Sequence, residues 1–257
     1  MSVFDGYARY YDFLYRDKDY AAEARHVHDI IQRHASGARS ILELGCGTAT
    51  HAIHLAALGY AIHGVDRSHE MLAAAANGIQ KAGPETASLI RLTEGDIREV
   101  QLNDRFDVVI ALFHVISYLP TNDDLKAAFK TAQTHLKPGG IFLFDCWYGP
   151  AVLSNPPVVR VKRMEDDETS VVRIAEPVMH PNENLVDVNY HVFIREKSLG
   201  QFEVLQETHR MRYLFKPEVE ILLGNCGFRL AECCEWMAGK DPGFSTWNVY
   251  FVAKTSL

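Results

Sequence analysis

The sequence predicts an α/β fold in which a mostly parallel sheet, covered by helices on both faces, is interrupted by an inserted antiparallel β segment. Three observations predict it. Short apolar runs alternate with stretches of helical periodicity from residue 40 to residue 147, the mark of βαβ units and of strands buried on both faces. From 148 to 214 the periodicity changes to apolar-polar alternation in β-branched runs broken by charged or Pro-Asn turns. A helical pattern and two more apolar runs then return at the end of the chain.

The elements follow in order. Residues 19–34 carry Ala22, Val27, Ile30 and Ile31 near helical spacing. Strand 40–44, helix 48–58, strand 60–65 and helix 68–81 come next, the last opened by Ser68 as N-cap. "SLIRLTEGD" reads as a strand, and "FDVVIALF" as one buried on both sides. Helix 122–136 is expected to stop at "LKPGG", where Pro138 and two glycines break it, before the buried strand "IFLFDCW". About four antiparallel strands fit residues 148–214. "PEVEILLGNCG" is a helix with Pro217 in its first turn and Gly227 as its stop, and "FRLAECCEW" and "WNVYFVAKT" close the chain as strands. The expected division is a core of residues 1–147 and 215–257, with an N-terminal helical lid, and an inserted β subdomain of residues 148–214.

Composition narrows the function. Among 257 residues, 47% are hydrophobic and 23% charged, the balance of a soluble globular protein. A formal charge of −7 argues against a chain that gains affinity by neutralising phosphates, so no nucleic-acid partner is expected. No run approaches the length of a membrane span, and the first residues lack the pattern of a secretory signal. Five cysteines without a CxxC pair read as free thiols, which points to the cytoplasm. The histidines are scattered; His51 and His54 share a helix face, but no metal site is expected.

The chemistry is concentrated in "SILELGCGTATHAIHLAALGYAIHGVDRS". A strand ends on Glu43 and turns through Gly45 and Gly47, where no side chain keeps a ligand from the backbone. Asp66, at the end of the following strand, is placed to accept hydrogen bonds from a ribose diol. A glycine turn alone fits any adenosine compound. Two details discriminate. Thr50 stands where the dinucleotide fingerprint requires a third glycine, and Glu43 repels a pyrophosphate while suiting a ligand with an ammonium group. "EGD" at 94–96 adds a third acid, Asp96, suited to an adenine amino group, and Gly59 and the Pro138 turn add shape only.

"ELGCGT", "VDRS", "GDI" and "LKPGG", in that order, resemble the ordered motifs of class I S-adenosylmethionine-dependent methyltransferases. The likeness covers residues 40–147 and the closing helix and strands. "YARYYDFLYRDKDYAAEA" and the inserted β segment are more loosely similar to nucleotide-sugar N,N-dimethyltransferases. The resemblance implies a Rossmann-like seven-stranded sheet whose last strand runs antiparallel, with S-adenosyl-L-methionine as cofactor. It implies that Glu43 and the amides around Gly45, Cys46 and Gly47 hold the methionine part. Asp66 would take the ribose, Arg67, Met71, Asp96 and Ile97 would meet the adenine, and Leu112 and Phe113 would line the sulfonium side. Cys46 and Ile97 are equally explained by packing.

The donor carries its own activated methyl, so the protein must place a nucleophile in line and exclude water. Three groups of residues are candidates for that task. His114 and Tyr118 lie just beyond the fourth strand, where an imidazole can take a proton or orient an acceptor. Phe4, Tyr7, Tyr11 and Tyr15 form one stripe if residues 3–16 are helical. That stripe is either simple packing or a lid whose phenols reach the cofactor carboxylate (Tyr11) and the acceptor (Tyr15, which matches a tyrosine of the aminosugar enzymes). In "EVLQETHRMRYLF", Glu207, His209, Met211, Tyr213 and Phe215 share one face and Arg210 and Arg212 the other, which fits an acceptor pocket or an edge strand guarded by charge. Asp145, Cys146 and Trp147, where the fifth strand ends, face the expected pocket, as wall or supporting residues as readily as in direct contact. "RVKRMEDDE" reads as a solvated hairpin, with contact to a substrate diphosphate as the lesser alternative.

The expected activity is methyl transfer to an amine or hydroxyl of a small polar metabolite, a nucleotide-sugar among the candidates. "LFHV" follows the fourth strand where enzymes acting on planar amide-type nitrogens carry an NPPY-like tetrad. The alternatives are a regulatory protein that binds S-adenosylmethionine or S-adenosylhomocysteine without catalysis and, third, an NAD-dependent oxidoreductase. Exposed strand edges in the insertion favour a homodimer.

Overall fold

The computed structural model describes residues 8–198 and 200–255, so Phe4 and Tyr7 of the expected aromatic stripe lie outside the described residues. The described part of the first helix, α1 (Ala8–Leu14), includes Tyr11, while Tyr15 stands in the turn after it, so the helix ends before residue 16. α2 (Tyr20–His34) is capped by Asp19, whose carboxylate accepts the Ala22 N–H at 2.8 Å. β1 (Ser40–Leu44), α3 (Thr50–Ala57), β2 (Ala61–Asp66) and α4 (His69–Lys81) follow as the periodicity requires, with Ser68 accepting the Met71 N–H at the start of α4. A short α5 (Pro84–Ser88) leads into β3 (Ile90–Glu94), and β4 (Phe106–Ala111) ends in a 3-10 turn, Val115–Tyr118.

α6 (Asn122–His135) departs from expectation at its end. Leu136 is already extended, with φ −84° and ψ 140°, and β5 (Leu136–Tyr148) begins there, so Pro138 and its glycines lie in the strand rather than stopping the helix. The proline still acts, because the residue before it is disfavoured in the helical region. α7 (Gly149–Ser154) is a helical turn where β structure was expected. The four expected antiparallel strands are present: β6 (Arg160–Glu165), β7 (Thr169–His180), β8 (Leu185–Glu196) and β9 (Gln201–Leu214). α8 (Lys216–Asn225), β10 (Phe228–Glu235) and β11 (Asn248–Thr255) complete the chain, with Pro217 in the first turn of α8.

Seven strands form the core in the order β3-β2-β1-β4-β5-β11-β10, and β11, the last in sequence, runs antiparallel to both its neighbours. Side chains alternate between two apolar layers. Leu42, Leu44, Val109 and Ala111 face the layer of α6 and α8, while Ile41, Val108, Ile110 and Leu112 face that of α2 and α3. Glu43 therefore points into the second layer, among residues that bury fully.

β6 to β9 form an antiparallel meander that roofs the carboxyl ends of the core strands. β9 is not an edge strand: it pairs with β8 from Gln201 to Arg212 and joins β5 in parallel through Trp147–Tyr213 and Tyr148–Leu214. β6 is the outer strand of the roof. Arg212, on the face of β9 opposite His209, is buried. It donates to Asn122 Oδ1 at 2.6 Å and the Pro120 carbonyl at 3.3 Å and pairs with Glu218, tying the roof to α6 and α8.

Candidate active site

One cavity of about 460 Å3 opens where the core strands end beneath the roof. Of the residues singled out in the sequence, Tyr11, Tyr15, Glu43, Gly45, Cys46, Gly47, Asp66, Arg67, Met71, Asp96, Ile97, Leu112, Phe113, His114, Tyr118, Trp147 and His209 all line it. Glu207 does not; it stands behind His209, 3.0 Å from the ring Nε2. The hairpin "RVKRMEDDE" is also absent from the lining. Lys162 reaches Asp17 instead, and the Arg16 guanidinium caps the Glu165 carbonyl at 2.7 Å.

The glycine turn is shaped by two different demands. At Gly45 (φ 75°) a Cβ would stand 2.6 Å from Val115 Cγ2, so both the backbone angle and the close approach of the 3-10 turn exclude a side chain. At Gly47 (φ 53°) a Cβ would meet nothing within 4 Å, which leaves this backbone open to the cavity. Thr48 donates to Asp12 Oδ1 at 2.8 Å and so fastens α1 over the turn.

Three carboxylates stand in a row at the strand ends. Glu43 is only 2% exposed and its Oε2 has no hydrogen-bond partner among the described residues. Burial, with the nearby Asp66 charge, pushes its pKa up to about 8. Such a group lowers the stability of the empty protein, and an ammonium brought against it removes the penalty. Asp66 is anchored by the N–H groups of Gly47 (2.8 Å) and Ser68 (2.9 Å); burial nonetheless raises its pKa, and lone pairs remain for a diol. Asp96 is held below the ordinary range by Arg98, which bonds it through Nε at 2.9 Å and Nη2 at 2.6 Å. The acid expected at the adenine edge is thus already engaged by a neighbour. The chemistry of these groups fits the three parts of S-adenosylmethionine: a cation, a ribose and a purine edge.

The cavity wall beyond β4 is organised by Phe113 and His114, two successive non-glycine residues with positive φ (62° and 66°). Each such residue costs on the order of 1 kcal/mol or more, so the turn must be held from outside. Asp145, 1% exposed, holds it: the His114 N–H donates to both its oxygens at 3.1 and 3.2 Å, and the ring Nδ1 lies 2.8 Å from Oδ2. The Phe113 ring meets Tyr15 edge-on at 5.2 Å, with the Lys18 ammonium 4.6 Å from its centre. Lys18 in turn pairs with Glu23, which also bonds His51 at 2.8 Å. The Tyr15 hydroxyl accepts from Arg173 Nη1 at 3.1 Å, linking the N-terminal segment to the roof. Opposite, the Tyr118 hydroxyl lies 2.8 Å from His209 Nδ1.

Sequence reasoning missed Tyr20, Thr48, His51, Arg98, Tyr190, Thr208 and Arg210 as lining residues. Thr48 sits inside the quoted glycine turn and was open to notice. Tyr190 and Thr208 lie in uniform β alternation, where nothing local distinguishes a cavity face.

Known proteins resemble this arrangement. A family model described as "Methyltransferase domain" matches residues 41–140. The dTDP-3-amino-3,4,6-trideoxy-alpha-D-glucopyranose N,N-dimethyltransferase of Streptomyces venezuelae is 28% identical over 239 residues, covering 92% of this chain and 94% of that one. The putative methyltransferase YqeM of Bacillus subtilis (strain 168) is 27% identical over 260 residues, covering 99% and 98%. Among solved structures, an S-adenosylmethionine-dependent methyltransferase from Clostridium acetobutylicum ATCC 824 superposes with a TM-score of 0.82 at 25% identity, covering 99% of each chain.

Proposed function

We propose that this chain, an S-adenosylmethionine-dependent methyltransferase, methylates an amine of a small polar metabolite, with nucleotide-linked aminosugars as the leading class and a hydroxyl acceptor second. The activity named for the Streptomyces venezuelae relative supports the aminosugar. The observation that carries the proposal is a single cavity joining an acid-lined cradle to a chamber where His114, partly exposed, stands against the buried Asp145.

When bound, the donor supplies an electrophilic methyl group on a sulfonium. Glu43 binds its ammonium, the backbone at Gly45, Cys46 and Gly47 seats the rest of the methionine part with Tyr11, and Asp66 takes the ribose hydroxyls. Arg67, Met71, Asp96 and Ile97 border the adenine, and Leu112 with Phe113 shields the sulfur from water. His114, with Nδ1 beside the Asp145 carboxylate, presents Nε2 to the acceptor and takes its proton. Tyr15 orients the acceptor, which rests against Tyr118, Trp147 and His209, with Glu207 fixing the histidine.

Calorimetric titration with S-adenosylmethionine and with NAD, followed by mass spectrometry of dTDP-aminosugars incubated with enzyme and donor, tests the proposal. Donor binding and products heavier by one and two methylene units are expected. Binding of NAD alone, or unchanged aminosugars beside a tightly bound donor, overturns it. The outer edge of β6 has no partner strand among the described residues and supports the expected homodimer, which light scattering checks; a monomer at all concentrations refutes it.

A further inference from the structure

Arg98 and Arg212 grip one short stretch of chain from opposite sides. The stretch, residues 119–124, leads from the 3-10 turn into α6, and its Leu119 and Pro120 line the cavity. Arg212 holds it from the roof, through the Pro120 carbonyl at 3.3 Å and Asn122 Oδ1 at 2.6 Å. Arg98 holds it from the cradle, its Nη1 donating to Asp124 Oδ1 at 2.7 Å. Asp124 Oδ2 accepts from the Thr121 hydroxyl at 2.6 Å, and Thr121 Oγ1 accepts the Asp124 N–H at 3.0 Å. Arg98 therefore reaches the cap of α6 itself.

The other edge of the same guanidinium sets Asp96. Asp96 Oδ1 accepts the Arg98 backbone N–H and its Nε–H, each at 2.9 Å, and Oδ2 accepts from Nη2 at 2.6 Å. An ionised carboxylate offers about four acceptor positions. Arg98 fills three of them, which leaves one, on Oδ2, among the described residues. Asp96 and Arg98 both line the cavity. Exposed ion pairs usually contribute little, but a planar two-point fork tied to a second carboxylate is the exception, and it fixes orientation as well as charge.

Resting on the reading of the cavity as an S-adenosylmethionine site, we propose that Arg98 is a positioning residue with two tasks. It sets the purine selectivity of the donor site through Asp96, and it joins donor occupancy to the wall beyond β4 through Asp124. An adenine amino group donates to the remaining lone pair on Asp96 Oδ2. A hypoxanthine presents a carbonyl at that place, and two acceptors repel. A mobile carboxylate would turn aside to meet the neighbouring ring N–H, and the Arg98 fork prevents that turn. Selectivity thus depends on the fork as much as on the carboxylate.

The link to the wall follows from the shape of the guanidinium. Its Nε, Nη1 and Nη2 lie in one rigid plane, so it cannot adjust to a ligand on Asp96 without displacing Asp124. Arg212 fixes the far end of the stretch, and the adjustment falls on the residues from Leu119 into the first turn of α6.

Calorimetric titration of the full chain with S-adenosylhomocysteine and with S-inosylhomocysteine is the first arm of the test. The parent should prefer the adenosyl compound about 100-fold, and Arg98→Gln should reduce the preference to about tenfold or less. Arg98→Lys should not restore it, since an ammonium makes no fork. Asn122→Ala, which loosens the grip of Arg212 instead, should keep the full preference. The second arm is methyl NMR of Leu125, which is fully buried in the first turn of α6 and does not line the cavity. Its resonances should move when S-adenosylhomocysteine saturates the parent and stay in place when it saturates Arg98→Gln or Asp124→Asn. Thermal melts confirm that each variant folds. An undiminished preference in Arg98→Gln, an equal loss in Asn122→Ala, or Leu125 signals that do not separate the parent from the variants overturns the proposal. A parent that binds neither nucleoside overturns the reading of the cavity itself, so the two failures are distinct.

Discussion

Replacing Glu43 by Gln is expected to weaken binding of the methyl donor about 100-fold at pH 8, because removing one member of a buried charge pair costs about 3–5 kcal/mol and the amide recovers part of it. The same substitution is expected to stabilise the protein without ligand. Glu43 lies in the layer of Ile41, Ile110 and Leu112, and its Oε2 has no hydrogen-bond partner among the described residues. Burial, with Asp66, raises its pKa from 4.5 to about 8. In that window the folded chain keeps a proton that the unfolded chain has released. Stability therefore falls as pH rises from 4.5 towards 8, by up to roughly 1.4 kcal/mol per pH unit, and is level above it. The Gln variant lacks this slope. Its melting temperature should exceed that of the parent at pH 8 by several degrees and approach it at pH 5.

Donor binding has the opposite slope. The cradle must be ionised to meet an ammonium, so below about pH 8 binding releases the Glu43 proton and affinity rises with pH. An α-amino group ordinarily loses its proton near about pH 7.7–8.0, so affinity should turn over above that range. Calorimetry in buffers of different ionisation enthalpy measures both the proton release and the maximum. A flat affinity profile in the parent, or a Gln variant that binds the donor as tightly, removes Glu43 from the cradle.

What was legible in the sequence was local. β4 and β5 are covered on both faces, so they read as unbroken apolar runs, and Ser68 and Pro217 mark helix starts by chemistry confined to a single turn. The meeting of Glu43, the glycine turn and Asp66 at one cavity was legible for the same reason, since they belong to one βαβ unit. Arg212 shows where that reasoning ends. Alternation puts it outward, but β9 leaves the roof there to pair with β5, and what lies outward is Glu218 rather than water. The His114–Asp145 and Tyr118–His209 contacts depend on which strands are neighbours, and periodicity carries no such information. The end of α6 was misread because Pro138 is a visible breaker, whereas the extended conformation of Leu136 belongs to its pairing with Phe106.

His114 is the residue whose loss should slow methyl transfer most. His114→Gln is expected to lower kcat about 100-fold or more, the range of a positioned general base, with donor Kd changed less than about twofold. Asp145→Asn should follow it closely. Asp145 is 1% exposed, receives the backbone N–H of His114 and lies 2.8 Å from its ring Nδ1, and Asn offers one oxygen in place of two. An amide NH2 turned towards the ring would favour the tautomer that carries its hydrogen on Nε2, converting a base into a donor. The left-handed pair Phe113–His114 would also lose part of its anchor. The pH dependence separates a base from a residue that merely orients the acceptor. An amine that is already neutral needs no base, so the deficit of His114→Gln should shrink as pH rises past the pKa of the acceptor. A deficit that stays constant with pH would make His114 a positioning group, and unchanged turnover would remove it from the reaction.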